Sequence, residues 1–289
     1  MDRDEELAVV RRAYAKQILA AVNVSGSRLE TAFASVRREQ FLGPGPWQVF
    51  RYTGHYVATP TADPVYLYTD SVIAILPDRR INNGQPSLHA YLLDASSLKE
   101  GDHIVHVGTG AGYYTAIMAE IVGASGRVTG IEFDPQLATQ ARSNLSAYPN
   151  VTIIEGDGAV VPFDRADVIY VNAGATAPAS SWLDRLSEGG RLILPLTTAL
   201  GFGKIEIEKM SQRGAVFRIA RDKDAYRAKW ISPVAIFPCV GNRDEDEERA
   251  LAAALEKGGA QKVTRLYRSG DITGERCWLR GKQWCLAFD

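Results

Sequence analysis

The sequence predicts an α/β protein with a doubly wound, mostly parallel sheet, an antiparallel strand near one edge and an α+β extension at the end. Two observations carry this prediction. Short apolar runs alternate with helical stretches between residues 86 and 195, which is the pattern of strand–helix–strand units. Beyond residue 195, strand patterns follow one another without helices between them. With 289 residues, the chain has room for one large domain with additions or for two small ones.

The first segment, residues 1–80, is expected to form a helical cap followed by an irregular, substrate-side region. Apolar residues recur at helical spacing over residues 5–42 and indicate two helices. The run Gly43-Pro44-Gly45-Pro46 ends the second helix. From residue 47 to 83 the chain is rich in aromatic residues and proline, and it predicts one or two short strands.

Residues 81–241 form the predicted core, in which local signals mark the elements. Pro86 stands in the first turn of a helix over residues 86–98, where its missing N–H is not needed. Asp134 and Pro135 start the helix 136–148 as its cap and first residue. Ser180 or Ser181 is expected to cap a short helix through Leu186. The remaining core elements are the strands 103–107, 127–132, 151–154, 168–171 and 191–195 and the helix 113–122.

After residue 195 the pattern predicts strands at 204–209, 216–220 and 234–238. The extension, residues 242–289, begins with a charged helix over 243–257 and continues with two or three strands that end at Phe288. Cys277 and Cys285 flank a predicted hairpin and could form a disulfide. Reduced thiols are nevertheless expected, because the chain otherwise resembles a cytosolic protein.

The most informative stretch runs from His103 to Thr115, where a strand, a glycine turn and a helix start follow one another. Glycines at 108, 110 and 112 keep side chains away from a closely approaching ligand, and the helix start aims N–H groups at it. Glu132 follows Gly112 by 20 residues, at the end of the next apolar run. A carboxylate there can accept hydrogen bonds from both hydroxyls of a ribose, so the first prediction is a nucleoside-containing cofactor.

The spacing of the glycines selects the kind of nucleoside. Dinucleotide sites place the third glycine three residues after the second, to seat a pyrophosphate. Here Gly112 follows Gly110 by two residues, and position 113 is tyrosine. This spacing resembles the first motif of class I S-adenosylmethionine-dependent methyltransferases, whose cofactor carries no phosphate. A nicotinamide-dependent dehydrogenase is therefore disfavoured.

Further polar residues fall just past predicted strand ends. Asp157 follows the third core strand, and Asn172 follows the fourth. Ligands of doubly wound sheets lie outside the carboxyl ends of the strands. We therefore expect Glu132, Asp157 and Asn172 to lie beside the glycine turn.

The composition argues against several classes of function. The net charge is −1, from 33 basic and 34 acidic residues, so no global field attracts nucleic acid or an anionic membrane. The pairs Arg37-Arg38 and Arg79-Arg80 are expected to be solvated. No apolar stretch approaches the ~18 residues of a membrane span, and the charged N-terminus is unlike a secretory signal. These two features predict a cytoplasmic location. The cysteines and histidines lack metal-ligand spacing, so we expect no metal.

From about Leu29 to Gly241 the chain resembles the protein-L-isoaspartate O-methyltransferase family. The stretches that carry the resemblance are residues 36–41, residues 85–91, the glycine loop, Glu155-Gly156-Asp157-Gly158 and residues 189–195. Many class I methyltransferases share the Gly-Gly-Arg-Leu run at 189–192, but fewer combine it with a His-Ala-Tyr helix before the glycine loop. The resemblance implies a Rossmann-like methyltransferase fold and transfer of a methyl group from S-adenosyl-L-methionine.

The resemblance also implies roles for individual residues. The glycines would line the methionine part of the cofactor, Glu132 would hold the ribose, and Phe133 would lie against the adenine. Asp157 would contact the adenine edge, although a turn would also explain it. Asn172 would border the transferred methyl group, although it could instead cap a loop. The implied cofactor-binding residues are His106, Gly108, Thr109, Gly110, Gly112, Glu132, Phe133, Asp157, Gly158 and Asn172.

The chain departs from the family pattern at two places. The family usually has an acidic residue where His106 stands; a neutral imidazole can still hydrogen-bond the loop, and we expect a structural role for it. The family also carries a Thr-Ile-Ser run whose serine sits near the acceptor carboxylate, and here the aligned run is Asn82-Asn83-Gly84. We therefore expect intact cofactor binding but weak or absent methylation of isoaspartyl peptides.

The acceptor is predicted from the groups around it. A carboxylate, with an ordinary pKa of ~4, is already an anion at neutral pH and needs no general base, unlike an amine or alcohol. The acceptor side offers Asn83, Ser87 and His89 without a paired base, which favours a carboxylate. We expect His89 to pack against the cofactor rather than abstract a proton. Five aromatic residues could line an acceptor pocket or form local core: Trp47, Tyr52, Tyr56, Tyr66 and Tyr68.

The first interpretation is thus a methyltransferase that acts on a carboxylate of a protein, peptide or small molecule. Two alternatives stay open: a divergent enzyme with a different small-molecule acceptor, and a non-catalytic module that binds S-adenosyl-L-methionine. The extension could make a homo-oligomer contact or change the wall of the substrate site.

Overall fold

The computed structural model describes residues 2–51, 55–79, 81–199, 213–236, 241, 243–268 and 274–289. The chain forms two compact units that interleave along the sequence. The first comprises Met1–Gly101, Thr109–Gly130 and Asp134–Ile154, and the second comprises Asp102–Gly108, Ile131–Phe133 and Glu155–Asp289. The predicted segments 1–80, 81–241 and 242–289 divide the chain in consecutive order instead and stay a prediction.

The first unit opens with the two predicted helices, α1 (Arg3–Ala21) and α2 (Ser27–Ser35), followed by a 3-10 turn over Arg38–Phe41. A capping box of Asp2 and Glu5 starts α1, since each side chain accepts a hydrogen bond from the other's main-chain N–H. The irregular region holds more strands than predicted. Its two antiparallel pairs are β1 (Gln48–Phe50) with β2 (Tyr56–Ala58), and β3 (Ala74–Leu76) with β4 (Ile81–Asn82).

Three more helices complete the first unit: α3 (Pro86–Ser96), α4 (Tyr113–Val122) and α5 (Pro135–Asn144). The bounds of α4 are those predicted, and all of its residues except Glu120 are buried. The predicted helix 136–148 ends early. Pro149 disfavours a helical conformation at Tyr148, so the last predicted turn does not form.

The remaining strands belong to one large sheet. They are β5 (His103–Val107), β6 (Arg127–Glu132), β7 (Val151–Glu155), β8 (Ala166–Val171), β9 (Leu186–Thr197), β10 (Gly214–Asp222), β11 (Ala225–Pro233), β12 (Arg265–Tyr267), β13 (Cys277–Arg280) and β14 (Cys285–Ala287). Within the described residues their order is β13-β14-β12-β11-β10-β9-β8-β5-β6-β7. The pairs β5/β8 and β8/β9 are parallel, whereas every pair from β9/β10 outward to β13 is antiparallel. The predicted fold class is confirmed, and the extension continues the sheet at its antiparallel end.

Several predictions beyond β8 need correction. The short helix α6 (Ser180–Arg185) has Ala179, not a serine, as its N-cap. The predicted strand 234–238 is wrong over its described residues 234–236, and β11 lies just before it. The predicted strand 204–209 lies outside the described residues. Over its described residues, 243–268 and 274–289, the extension holds α7 (Glu245–Lys257) and three strands, as expected.

Cys277 and Cys285 are joined by a disulfide, so the expectation of reduced thiols is wrong. The antiparallel pairing of β13 with β14 brings the two Cα atoms within 6.1 Å of each other. Among the described residues, no helix has the length and apolar character that crossing a bilayer requires. The same residues contain no cluster of three or more histidine, cysteine or acidic side chains that could hold a metal ion.

Candidate active site

The glycine turn begins where β5 ends, in the second unit. All five residues of β5 are buried, as in a strand covered on both faces. The N–H of Gly108 donates to the main-chain oxygen of Ile131 over 2.9 Å. Gly108 has a φ of +80°, and a Cβ there would lie 3.0 Å from the main-chain oxygen of Asn172. Only glycine therefore allows this tight turn without strain.

Asn172 holds the same turn from the end of β8. Its N–H donates to the main-chain oxygen of Val107 over 2.8 Å. Its side-chain Nδ2 donates to the main-chain oxygen of Gly108 over 3.3 Å. The structure thus shows Asn172 fixing the loop, which is the alternative role considered for it, while the side chain stays half-buried at the strand end.

Glu132 and Phe133 end β6 with opposite exposures. Glu132 is 8% exposed, whereas Phe133 is 49% exposed and is one of the few large apolar side chains at the surface of the described chain. The main-chain oxygen of Glu132 accepts the N–H of Gly156 over 2.9 Å. A nearly buried carboxylate beside an open aromatic ring fits a ribose and a base, respectively.

Asp157 and Gly158 form a turn after β7. The Asp157 Oδ1 atom accepts the N–H of Ala159 over 2.9 Å, so the Asp157 side chain stabilises this turn. A Cβ at Gly158 would lie 2.4 Å from Cγ1 of Val107, and the Gly158 oxygen accepts the indole N–H of Trp182 over 2.7 Å. This turn is therefore packed directly against the end of β5.

His106 is fully buried in β5, and its ring meets the ring of Tyr170 edge-on at 5.6 Å. Burial lowers the pKa of His106 from 6.5 to about 3, because an imidazolium loses its hydration there. The imidazole is neutral at physiological pH. This supports a structural role rather than proton transfer.

The rest of the glycine loop belongs to the first unit. Thr109 is buried, and Gly130 leaves room for its hydroxyl, since a Cβ at 130 would lie 2.7 Å from Thr109 Oγ1. Gly112 is the N-cap of α4 and offers no capping side chain. A Cβ at Gly112 would lie 2.8 Å from Cδ1 of Leu145, so packing against the end of α5 also demands glycine there.

The acceptor-side candidates Asn83 and Ser87 also lie in the first unit. The N–H and Oδ1 of Asn83 bond the main chain of Ile73, over 3.0 and 2.9 Å. Its buried Nδ2 has no hydrogen-bond partner among the described residues. The hydroxyl and N–H of Ser87 both donate to the carboxylate of Asp70, over 2.6 and 2.8 Å, so Asp70 anchors the start of α3.

His89 lies two residues after Ser87 in the first turn of α3 and is 1% exposed. Its ring stacks on that of Tyr114 with 3.5 Å between centroids. The imidazole also lies against Gly84, the position at which the family serine is expected. The His89 ring is therefore enclosed by Tyr114 and Gly84.

The expectation that Arg38 is solvated is wrong. Arg38 is fully buried, and its guanidinium donates to the main-chain oxygens of Leu67, Thr69 and Ser71. The same group lies 5.8 Å from the ring centroids of Tyr14 and Tyr113. Arg38 thus holds the loop that carries Asp70. Its neighbour Arg37 has the same charge and is half-exposed, so no local signal in the sequence separates the two.

The aromatic candidates divide between core and surface. Trp47 packs in a buried cluster with Leu42, Val49, Leu67 and Ile73. Tyr68 is also buried and donates its hydroxyl to Glu39, whereas Tyr66 is 40% exposed and Tyr56 half-buried. Tyr52 lies outside the described residues. Trp47 and Tyr68 are therefore local core.

Comparisons with known proteins place the chain among methyltransferases. The model of the family Protein-L-isoaspartate(D-aspartate) O-methyltransferase matches residues 17–223. The protein-L-isoaspartate O-methyltransferase of Ignicoccus hospitalis is 33% identical over 180 residues, which are 60% of this chain and 78% of that protein. Protein-L-isoaspartate O-methyltransferase 1 of Archaeoglobus fulgidus is 34% identical over 201 residues, 68% of this chain and 82% of that protein.

Solved structures agree on the fold. A structure named protein-L-isoaspartate O-methyltransferase aligns with a TM-score of 0.64 and 26% identity, over 85% of this chain and 68% of that chain. A putative protein-L-isoaspartate O-methyltransferase from Plasmodium falciparum, in complex with S-adenosyl-L-homocysteine, aligns with a TM-score of 0.60 and 18% identity. That alignment covers 79% of this chain and 97% of the other.

Proposed function

The chain belongs to the protein-L-isoaspartate(D-aspartate) O-methyltransferase family and uses S-adenosyl-L-methionine, and from this premise we propose that it methylates a carboxylate of a protein or peptide. The family match over residues 17–223 is the observation that carries the proposal. The matched range includes the glycine turn, Glu132 and the acceptor-side loop at residues 82–84. The isoaspartyl residue named for the relatives is the first acceptor to test.

The second unit supports the cofactor assignment with its own geometry. Hydrogen bonds join the ends of β5, β6 and β8 at Gly108, Ile131 and Asn172. We propose that Gly108 borders the methionine part, Glu132 accepts the ribose hydroxyls, and Phe133 covers the adenine. Asp157 and Gly158 are proposed to contact the adenine edge, and Asn172 to lie beside the methyl group. His106, two residues before Gly108 in β5, is proposed to support the glycine turn by its packing. The assignment of Thr109, Gly110 and Gly112, in the first unit, rests on the sequence pattern.

Methyl transfer to a carboxylate requires the protein mainly to hold the donor and the acceptor in the correct geometry. The cofactor supplies a methyl group on a sulfonium, and the displacement needs the acceptor oxygen in line with it. A carboxylate acceptor is ionised at neutral pH, so no side chain has to remove a proton. This agrees with the buried, stacked His89 and with Ser87, whose hydroxyl is engaged by Asp70.

Asn83 is the acceptor-side residue with an unmet donor. Its Nδ2 is buried without a partner among the described residues, which costs free energy unless another oxygen arrives. We propose that this amide donates to a carboxylate oxygen of the acceptor, where the family uses a serine hydroxyl.

The test is transfer of labelled methyl from S-adenosyl-L-methionine to two peptides that differ only in an isoaspartyl or a normal aspartyl linkage. A carboxyl methyl ester releases its label as methanol in mild base, whereas N-methyl and ether products keep it. We expect a base-labile product, with a low rate on the isoaspartyl peptide because of Gly84. Cofactor binding without any base-labile product, on these peptides or on aged protein, would favour a small-molecule acceptor or a non-catalytic module instead.

Other expectations about partners and location stay predictions. A homo-oligomer contact through residues 242–289 is tested by the elution volume and light scattering of the full chain. Cytoplasmic location is tested by fractionation, and the disulfide of Cys277 with Cys285 argues against a reducing compartment.

A further inference from the structure

We infer that Arg243, in the stretch that follows the family match, is a positioning residue for the loop that carries Asn172. The inference deepens the proposed function, because it concerns the cofactor side of the same site. All of the contacts that support it lie within the second unit.

Arg243 binds two separate pieces of main chain. Its Nη1 atom donates to the oxygen of Gly174 over 2.7 Å, and Nη2 donates to the oxygen of Thr197 over 3.1 Å. Glu248 on α7 holds the guanidinium with an N–O distance of 2.9 Å. The Arg243 side chain is 15% exposed, and these partners compensate its charge for the loss of water.

The two pieces are the loop after β8 and the end of β9. Gly174 lies two residues after Asn172, whose main chain and side chain hold the glycine turn. The loop already meets β9 at Ala175, which donates to Pro195 and accepts from Thr197, over 3.1 and 2.9 Å. Arg243 adds a link on each side of that pair. Its removal therefore frees the loop close to the point where Asn172 is anchored.

A second contact ties the same stretch to Asp157. Gly241 has a φ of +110°, and a Cβ there would lie 2.5 Å from Oδ2 of Asp157. The N–H of Arg243 donates to the oxygen of Gly241 over 2.9 Å, which links the two residues. This short stretch therefore contacts both of the proposed cofactor-side segments that follow β7 and β8.

The helix start completes the attachment. The N–H of Asp244 donates to Thr176 Oγ1 over 3.1 Å, and Glu248 Oε1 accepts the N–H of Ala199 over 2.6 Å. The family match ends at residue 223, so nothing in it calls for these residues. Residues 241–248, where the extension begins, therefore help to position the cofactor site of this chain.

The experiment compares binding of S-adenosyl-L-homocysteine by calorimetry in the full chain and in Arg243→Ala. We expect the variant to bind about tenfold more weakly, because small displacements of positioning groups have effects of this size or larger. Arg249→Ala is the matched control: Arg249 lies on α7, six residues after Arg243, is 69% exposed and pairs with Glu245 and Asp246, and the variant should bind like the parent. Arg243→Lys should recover part of the loss, since it restores one donor.

The possible outcomes separate a failure of the proposed function from a failure of the inference about Arg243. No binding by the parent chain defeats the proposed function itself. A folded Arg243→Ala that binds like the parent, with only a lower melting temperature, overturns the inference and leaves the function standing. If Arg243→Ala does not fold, Glu248→Gln takes its place: it removes the charge that holds Arg243 but keeps an oxygen for Ala199, and unchanged binding in it overturns the inference.

Discussion

The Nε2 atom of His89 occupies the space that a side chain at Gly84 would need. A Cβ built on Gly84 would lie 2.4 Å from that atom. The imidazole is held there by its stack on Tyr114, so it has little freedom to withdraw. The glycine at the position of the family serine and the packing of His89 are therefore linked, because only glycine at 84 leaves the space that the imidazole fills.

Restoring the serine should destabilise the protein. Gly84 also has a φ of +71°, so Gly84→Ser combines backbone strain with a clash. Gly189→Ser is the matched control: its φ is also +71°, but no described atom lies within 4 Å of its Cβ. We expect the free energy of unfolding of Gly84→Ser to fall about 1–3 kcal/mol further than that of the control. Equal losses in urea unfolding, with a gain in isoaspartyl turnover, would show that His89 moves aside freely.

Glu132 should determine cofactor affinity. Glu132→Ala removes the nearly buried carboxylate proposed to accept both ribose hydroxyls, and we expect binding to weaken by about 1–3 kcal/mol. Glu155→Ala is the control, because Glu155 ends the neighbouring strand β7 and is exposed. Calorimetry with S-adenosyl-L-homocysteine makes the comparison, and equal affinities in the two variants would rule out the ribose role.

His106 should make the protein sensitive to mild acid. Its pKa is lowered to about 3 by burial, from 6.5. Between those values the unfolded chain binds a proton that the folded chain does not, so stability is fully present above pH 6.5 and falls as the pH falls. The slope from this one group is about 1 kcal/mol per pH unit near pH 5.

Urea unfolding at pH 7 and pH 5 measures that slope. His106→Asn should flatten it, whatever its effect on stability at pH 7. A parent and a His106→Asn variant with the same slope would mean that the imidazole is charged in the folded protein.

Local patterns were sufficient for the centre of the fold. The bounds of β5, α4 and β6 follow from runs that are mostly apolar and mostly buried, because such segments are stable only when they are packed in a core. The same runs place Gly108 and Glu132 at their ends, so the cofactor-side residues could be chosen from the sequence. Their individual partners, such as the bond from Asn172 to Gly108, depend on strand order and could not.

Features that depend on how strands pair, or on contacts between distant parts of the chain, were missed. In β11, buried Tyr226 and Ala228 alternate with exposed Arg227 and Lys229, and the pairing with β10 makes this a strand despite its charges. The disulfide depends likewise on how β13 and β14 pair. The two cysteines are only 8 residues apart, but spacing alone does not distinguish a disulfide from two reduced thiols.

Arg38 is the clearest case of dependence on a distant part of the chain. Its burial depends on three carbonyl groups about 30 residues further along the chain, at Leu67, Thr69 and Ser71. Arg38→Met leaves those oxygens without their donor, and we expect a loss of about 3 kcal/mol or more in the free energy of unfolding. Arg37→Met, at a half-exposed position, should cost less than about 0.5 kcal/mol.

The same variant separates acceptor-side from cofactor-side effects. Arg38 holds the loop that contains Asp70, and Asp70 anchors Ser87 at the start of α3. Under conditions where Arg38→Met is still folded, methyl transfer should therefore slow while S-adenosyl-L-homocysteine binds as in the parent. Loss of cofactor binding in the folded variant would show that this loop serves the cofactor instead, and an unchanged transfer rate would remove the Arg38–Asp70–Ser87 connection from the acceptor side altogether.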